Sequence, residues 1–275
     1  MPTGALLLAL ASAGTHALWN LLLAGAGDTR VQAAAQMTVS TIVWAPLCLG
    51  VWDIDGAAVP YMLAAGTLQL AYFVLLAAAY EAGEMSLVYP LARGCAPLLV
   101  AGFAAIGIGG AFGAGQALGI VAIAAGVVAV RGLRGPWRGR DTVLALGTAA
   151  TIAGYTVLDR YGVRHANPLT YVWLELLPGA LVYITWTVRT RGGAAVKAAA
   201  LSRRGLVAGV GGLGSYLLML AALRHGAAAP LAAVRESSVV LAVALAAIVL
   251  HEPVGRRRAA GSVLVAAGVA FVALG

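Results

Sequence analysis

Charge is what this sequence has least of. Only 10% of its 275 residues are Asp, Glu, Lys or Arg, against about one quarter in a soluble globular domain. A nucleotide-binding loop of the form G-x-x-x-x-G-K-[ST] is absent. The connections between apolar runs are too short to hold a soluble domain, and together these absences exclude an ATP-driven pump. Cysteine is nearly missing as well. Cys48 and Cys95 lie inside apolar runs without metal-ligand spacing. They read as small core residues, and neither a metal nor another cofactor is expected. The opening "MPTG" has no Lys or Arg. Although Ala9-Leu10-Ala11 resembles a cleavage site, the first apolar run therefore reads as a retained helix rather than a secretory signal.

What the chain has in excess is apolar residues, 61% of the total. Crossing a bilayer takes roughly 20 predominantly apolar residues in a helix. Ten such runs are legible, at about 3–25, 30–51, 57–80, 85–108, 113–131, 141–162, 167–188, 205–223, 228–250 and 256–274. The expected fold is an all-α integral membrane protein of ten transmembrane helices, a multi-pass protein of the cell membrane. The net charge is +8. On a soluble chain that would hint at nucleic acid, but here the positive residues fall in loops and the bilayer explains them. One set of alternate loops holds Arg30, Arg131, Arg134, Arg138, Arg140, Arg189, Arg191, Lys197, Arg203, Arg204 and Arg256 to Arg258. The other holds Arg160, Arg164 and Arg224. Because Lys and Arg concentrate on the cytoplasmic side, both termini are expected outside the cytoplasm.

The chain also repeats itself. "LARGCAPLL" (Leu91–Leu99) aligns with "VRESSVVLA" when Arg93 is placed on Arg235, an offset of 142 that also sets Gly119 on Gly261 and Gly126 on Gly268. Nearer the start of each half an offset of 139 sets His16 on Tyr155, Asn20 on Asp159 and Gln36 on Glu175. Residues 1–135 and 136–275 then form two repeats of five spans each. An odd span number forces opposite orientations, so the repeat is inverted, a recurring plan of secondary transporters with substrate bound near the midplane.

"LVYPLARGCAPLLVAGF" and "APLAAVRESSVVLAVALAAIVLHEPVGRRRAAGSVLVAAGV" resemble the two repeats of EamA-type transporters in the drug/metabolite transporter superfamily, with "THALWN" and "GYTVLDRYGV" opening the halves. The resemblance implies ten helices, alternating access, a central cavity formed mainly by the first, third, fourth, sixth, eighth and ninth helices, and a small-metabolite substrate. That substrate is amino-acid-like, another organic solute or a drug, with efflux the expected direction. One departure stands out. The family often has Gly-Glu near the end of the fourth helix of each repeat. The second half has His251-Glu252, whereas the first has Gly109-Gly110.

Charges inside the spans are the candidate site. A charge at a helix centre costs about 2.5–3.5 kcal/mol on insertion scales. Arg235 and Glu236 point about 100° apart on a helix, so each must find its own partner. Arg235 and Arg93 read either as a cavity wall that attracts a carboxylate-bearing substrate or as snorkelling or ion-paired residues. In the cavity reading Arg235 pairs with an acid from another helix when empty. Ser237 and Ser238 can serve substrate or their own helix. His16 and Asn20, with Trp19 beside them, share a face of the first helix, and Tyr155 and Asp159 repeat that spacing. They line a cavity or bond between helices; Asp159, near a helix end beside Arg160, can also be solvated. Tyr72, Tyr89 and Tyr216 belong to the path or to the interfacial aromatic belt. Glu175 and Glu236 are the candidates for proton or ion coupling, with a buried structural hydrogen bond as the plainer role of Glu175. Gly115-x-x-x-Gly119 and Gly205-x-x-x-Gly209 allow close helix approach.

Other classes fit less well. "GAGD" (Gly25–Asp28) matches a short intramembrane-protease pattern, but Asp28 falls in a charged turn with no second aspartate at its depth. A polytopic lipid-modifying enzyme needs a polar cluster at one interface, which the sequence does not show. A channel also has a polar interior, but an inverted repeat favours a carrier. A scaffold leaves the buried charges unexplained.

Overall fold

The computed structural model describes residues 1–23, 28–81, 85–131, 139–249 and 255–275. Within these, side chains are described except at 19–23, 29, 76–81, 85–91, 131, 141, 246 and 249. The first half holds α1 (Thr3–Leu23), α2 (Thr29–Gly50), α3 (Val59–Glu81), α4 (Met85–Ala105) and α5 (Ala114–Arg131). The second holds α6 (Gly139–Gly162), α7 (Pro168–Arg191), α8 (Gly193–Leu201), α9 (Arg203–Leu223), α10 (Ala228–Arg235), α11 (Ser238–Val249) and α12 (Arg256–Leu274). No strand is present among the described residues; Ile54 and Ala166 make one isolated antiparallel bridge. Among the described residues, seven helical stretches are long and apolar enough to cross a membrane, and Thr3–Leu18, Ala92–Ala105 and Ala114–Val130 are further apolar portions of α1, α4 and α5. The boundary expected near residue 135, the Gly25–Gly27 part of "GAGD", and His251-Glu252 lie outside the described residues.

Local chemistry sets the helix ends. Asp28 caps α2 by accepting from the Arg30 and Val31 amides, Asn167 caps α7 with Pro168 at its first turn, and Ser202 caps α9, each supplying an acceptor to an orphan amide. Gly192, at φ +89°, ends α7 and turns the chain into α8. The sequence leaves this short helix unannounced.

Two expected spans are modified. The run at 85–108 stops being helical at Ala105 and passes through Gly107, Gly109 and Gly110, all at positive φ, where only glycine is unstrained. The run at 228–250 is not one helix. It breaks at Glu236-Ser237, where the Glu236 and Ser237 amides reach back three residues to Ala233 and Val234. This tightened turn interrupts the regular ladder in the middle of an apolar segment.

The connecting segments gather at two ends of the bundle. At one end Arg191 Nε lies 3.2 Å from Asp28 Oδ2, and the Arg30 guanidinium sits over the Trp186 ring. At the other, the Asp55 and Asn167 amides bond the carbonyls of His165 and Asp53, and the Ala228 amide bonds that of Gly109. The N-terminal Met1 and Pro2 share this second end with His225 and Gly226, and Gly275 lies against Gly115.

Small residues let the helices meet. Ala5, Ala9, Ala13 and Ala17 form a buried stripe on α1, which packs on α9, α10 and α11. α5 and α12 cross through glycines. A Cβ added at Gly119 would stand 2.6 Å from the Gly268 carbonyl oxygen, and one at Gly126 2.8 Å from that of Gly261. Such approaches replace hydrophobic driving force, which lipid cannot supply between helices. Gly209 packs against Val39 and the Gln36 carbonyl of α2. The outer face carries exposed Leu7, Ile42, Leu63, Val143, Ile248 and Val263, suited to lipid rather than water.

Candidate functional site

The break between α10 and α11 places charge in the interior. Arg93 Nη1, from α4, lies 3.0 Å from Glu236 Oε1, with side-chain exposures of 9% and 5%. Arg93 Nη2 is 3.5 Å from His16 Nε2 on α1. A guanidinium only donates, so this contact requires His16 to accept at Nε2. α4 and the turn between α10 and α11 are thus joined by a buried ion pair. The expected pairing of Arg235 with an acid from another helix is not present among the described residues. At 100° per residue Arg235 points elsewhere, and its guanidinium carbon lies 5.1 Å from the centroid of the Tyr216 ring on α9. Its Nε is buried without a hydrogen-bond partner among the described residues, as are Glu236 Oε2 and Ser237 Oγ. Three consecutive residues at the broken turn thus each carry a buried polar atom without a hydrogen-bond partner among the described residues.

A second cluster lies behind the first. Asp159 is fully buried, which removes the solvated reading. It accepts from Tyr171 Oη on α7 at 3.2 Å and, at its other oxygen, from Tyr216 Oη. Tyr155 meets Tyr216 edge-on, with centroids 6.1 Å apart. Glu175 is also buried and accepts from Gln69 Nε2 on α3 at 2.6 Å. Tyr216 is therefore an interior residue touching both clusters, not part of an interfacial belt. The sequence raised Tyr216 only as one of three tyrosines and did not single out Tyr171 or Gln69. A phenol two turns along a helix gives no hint of which carboxylate it faces.

His16, Arg93, Glu236, Ser237, Arg235, Tyr155 and Asp159 therefore lie along one connected path through the interior. The side chains of Trp19, Asn20 and Tyr89 lie outside the described ones. At the end that carries the chain termini, a cavity of about 220 Å³ is lined by Gln116, Arg160, His225, Gly226 and Pro230, among others. Arg160 there donates from Nε to the Gly226 carbonyl at 2.9 Å, and Tyr161 Oη accepts from the Gly109 amide. Pro230 belongs to the first turns of α10, so this vestibule stands over the helix whose far end bears Arg235.

Residues 142–274 match the model of the EamA-like transporter family. No curated protein matches the sequence. A solved structure described only as "Crystal structure of protein" superposes with a TM-score of 0.72 at 18% identity, covering 98% of this chain and 95% of its own, and shows likeness of fold alone. The family match spans α6 to α12, the half that supplies Asp159, Glu175, Tyr216, Arg235 and Glu236. The chain therefore carries, over residues 142–274, an EamA-like transporter domain of the drug/metabolite transporter superfamily.

Proposed function

We propose that the protein is a secondary transporter that moves a small organic solute by alternating access between two inverted five-helix repeats, residues 1–135 and 136–275, forming ten spans. Packing that survives exchange of the halves supports the repeat. α1 packs on α9 as α6 packs on α3. Gly209 of α9 faces the Gln36 carbonyl of α2, while Gly66 of α3 faces the Glu175 carbonyl of α7, 2.7 Å from an added Cβ. Gly119 against Gly268 mirrors Gly261 against Gly126. Gln36 and Glu175 keep the offset of 139, and Gly119 with Gly261 and Gly126 with Gly268 keep that of 142, while Gly66 and Gly209 are 143 apart.

The observation that carries the reading is the buried Arg93–Glu236 bridge between the halves, beside the unsatisfied atoms of the α10–α11 break. Discontinuous helices near the midplane are where such carriers bind solutes. Arg235 offers a fork for a carboxylate, and Tyr155 and Tyr216 supply aromatic walls. A solute that competes for Glu236 or Arg93 loosens the bridge and so biases one access state over the other. The efflux direction rests on the family resemblance alone, and the termini lie outside the cytoplasm by the arginine distribution.

The test is a panel of amino acids, other organic acids and drug-like cations in proteoliposomes, scored for saturable uptake and efflux with and without a pH gradient. Saturation supports a carrier, and flux linear in concentration would mean a channel. Arg235→Ala should lose transport per folded molecule, and Arg235→Lys should lower affinity more than expression, because it keeps charge but loses the fork. Wild-type rates in a well-folded Arg235→Ala would make the arginine structural.

A further inference from the structure

The Arg93–Glu236 bridge leaves two buried acids without a task. Asp159 is 0% exposed and Glu175 2%, and neither forms an ion pair among the described residues. Asp159 takes hydrogen bonds from the phenols of Tyr171 and Tyr216. Glu175 takes one from Gln69 at Oε1, and its Oε2 is buried with no hydrogen-bond partner among the described residues. Tyr171 and Glu175 are one turn apart and share a face of α7. A single face of α7 therefore carries both the phenol that holds Asp159 and the second carboxyl. Asp159 is an ionisable side chain within reach of Glu175. The other groups facing the pair are Arg235 from α10, through the Tyr216 ring, and Tyr155 of α6, on which Arg93 of α4 and Glu236 also act. The contact from α3 is the neutral amide of Gln69.

An ionised carboxylate with no counter-ion is strongly disfavoured in a low-dielectric interior. Two side by side are worse, because like charges oppose each other. A protonated carboxyl both donates and accepts, so one proton satisfies the orphaned oxygen of Glu175 and removes one of the two charges.

We infer that Asp159 and Glu175 form one proton-binding site, a carboxyl pair holding a single proton between α6 and α7, and that this site couples the carrier to a proton gradient through Tyr216 and Arg235. The coupling half rests on the transporter reading above; the proton site does not. No covalent bond forms or breaks beyond O–H. The proton moves between a carboxylate oxygen and water when an access state opens the pair. Its loss adds a negative charge behind the Tyr216 ring, on which Arg235 lies. Arg235 is then drawn toward the pair and is less available to a solute carboxylate. Proton and solute occupancy are linked through that one guanidinium, and the linkage is reciprocal.

Infrared difference spectroscopy of the full chain in lipid reads the proton directly. Wild type should show a protonated-carboxyl C=O band at neutral pH that shifts in D2O and disappears as pH is raised. Both Glu175→Gln and Asp159→Asn should change that band, because the pair owns the proton jointly; Glu236→Gln should leave it in place. Tyr171→Phe keeps the ring and removes one hydrogen bond to Asp159, so it should shift the band and its titration midpoint even if the carboxyl variants fold poorly. Absence of the band in wild type, a band changed by only one of the two carboxyl substitutions, or one indifferent to Tyr171→Phe would overturn the shared site. For coupling, a panel solute carried by wild type should accumulate under an imposed pH gradient and fail to do so with Glu175→Gln. Accumulation unchanged in that variant would overturn the coupling. If no panel solute moves at all, the transporter reading fails, while the infrared result still decides the proton site.

Discussion

Breaking the Arg93–Glu236 bridge from either side should be costly, and removing both partners should be nearly free. The pair is 3.0 Å apart, with side chains 9% and 5% exposed, so neither charge has water to fall back on. Leaving one member of a buried pair uncompensated costs about 3–5 kcal/mol, whereas replacing both by neutral groups is often neutral or stabilising. Insertion scales place a lone charge at the helix centre in the same range, about 2.5–3.5 kcal/mol. Glu236→Gln is therefore expected to lower the folding equilibrium by roughly two to three and a half powers of ten, and Arg93→Gln by a comparable amount near neutral pH. The Arg93→Gln/Glu236→Gln double variant should return to within about 1 kcal/mol of wild type. Reversible SDS unfolding in mixed lipid micelles, followed by tryptophan fluorescence, completes the double-mutant cycle. Single effects within about 0.5 kcal/mol of zero, or a double effect equal to their sum within about 0.5 kcal/mol, would show that the charges do not depend on each other.

Gly126→Leu should destabilise by about 1–3 kcal/mol, since its Cβ meets backbone of α12 that cannot rotate aside. Gly102→Ala, with nothing within 4 Å, should be neutral or slightly stabilising in the same unfolding assay. For orientation, exposed Gly56 and Gly193 accept a side chain without backbone conflict. In a background with Cys48 and Cys95 replaced, an impermeant thiol reagent on intact cells should label Gly56→Cys and spare Gly193→Cys; the reverse pattern would invert the topology. Gly110→Ala, at φ +91° with its Cβ 2.7 Å from Arg160 Nη2, should displace Arg160 from the vestibule and lower solute affinity, measured as KM in the proteoliposome assay.

What the sequence settled by itself is set by the solvent. Apolar runs long enough for a bilayer, arginines sorted into alternate loops, and charges stranded inside spans are linear features, and a membrane leaves few ways to satisfy them. They led to helices, to the family, and to Arg93, Glu236, Asp159 and Glu175 as residues that need partners. Gly119, Gly126, Gly261 and Gly268 could be matched by offset alone. Which partner each charge meets was decided only in three dimensions. Glu236 stands beside Arg235 in the chain, yet bridges to Arg93, 143 positions away, because consecutive side chains on a helix diverge. Asp159 of α6 and Glu175 of α7 are brought near each other through Tyr171, which stands one turn before Glu175 and donates to Asp159, with Tyr216 of α9 donating to the other oxygen of Asp159. The turn at Glu236-Ser237 falls inside a run with no glycine or proline near the break to announce it. In a lipid-soluble bundle both the inner and the outer faces of a helix are apolar, so periodicity scarcely tells which side faces protein. That choice is made by the close packing of alanine and glycine surfaces, and the polar contacts follow from it.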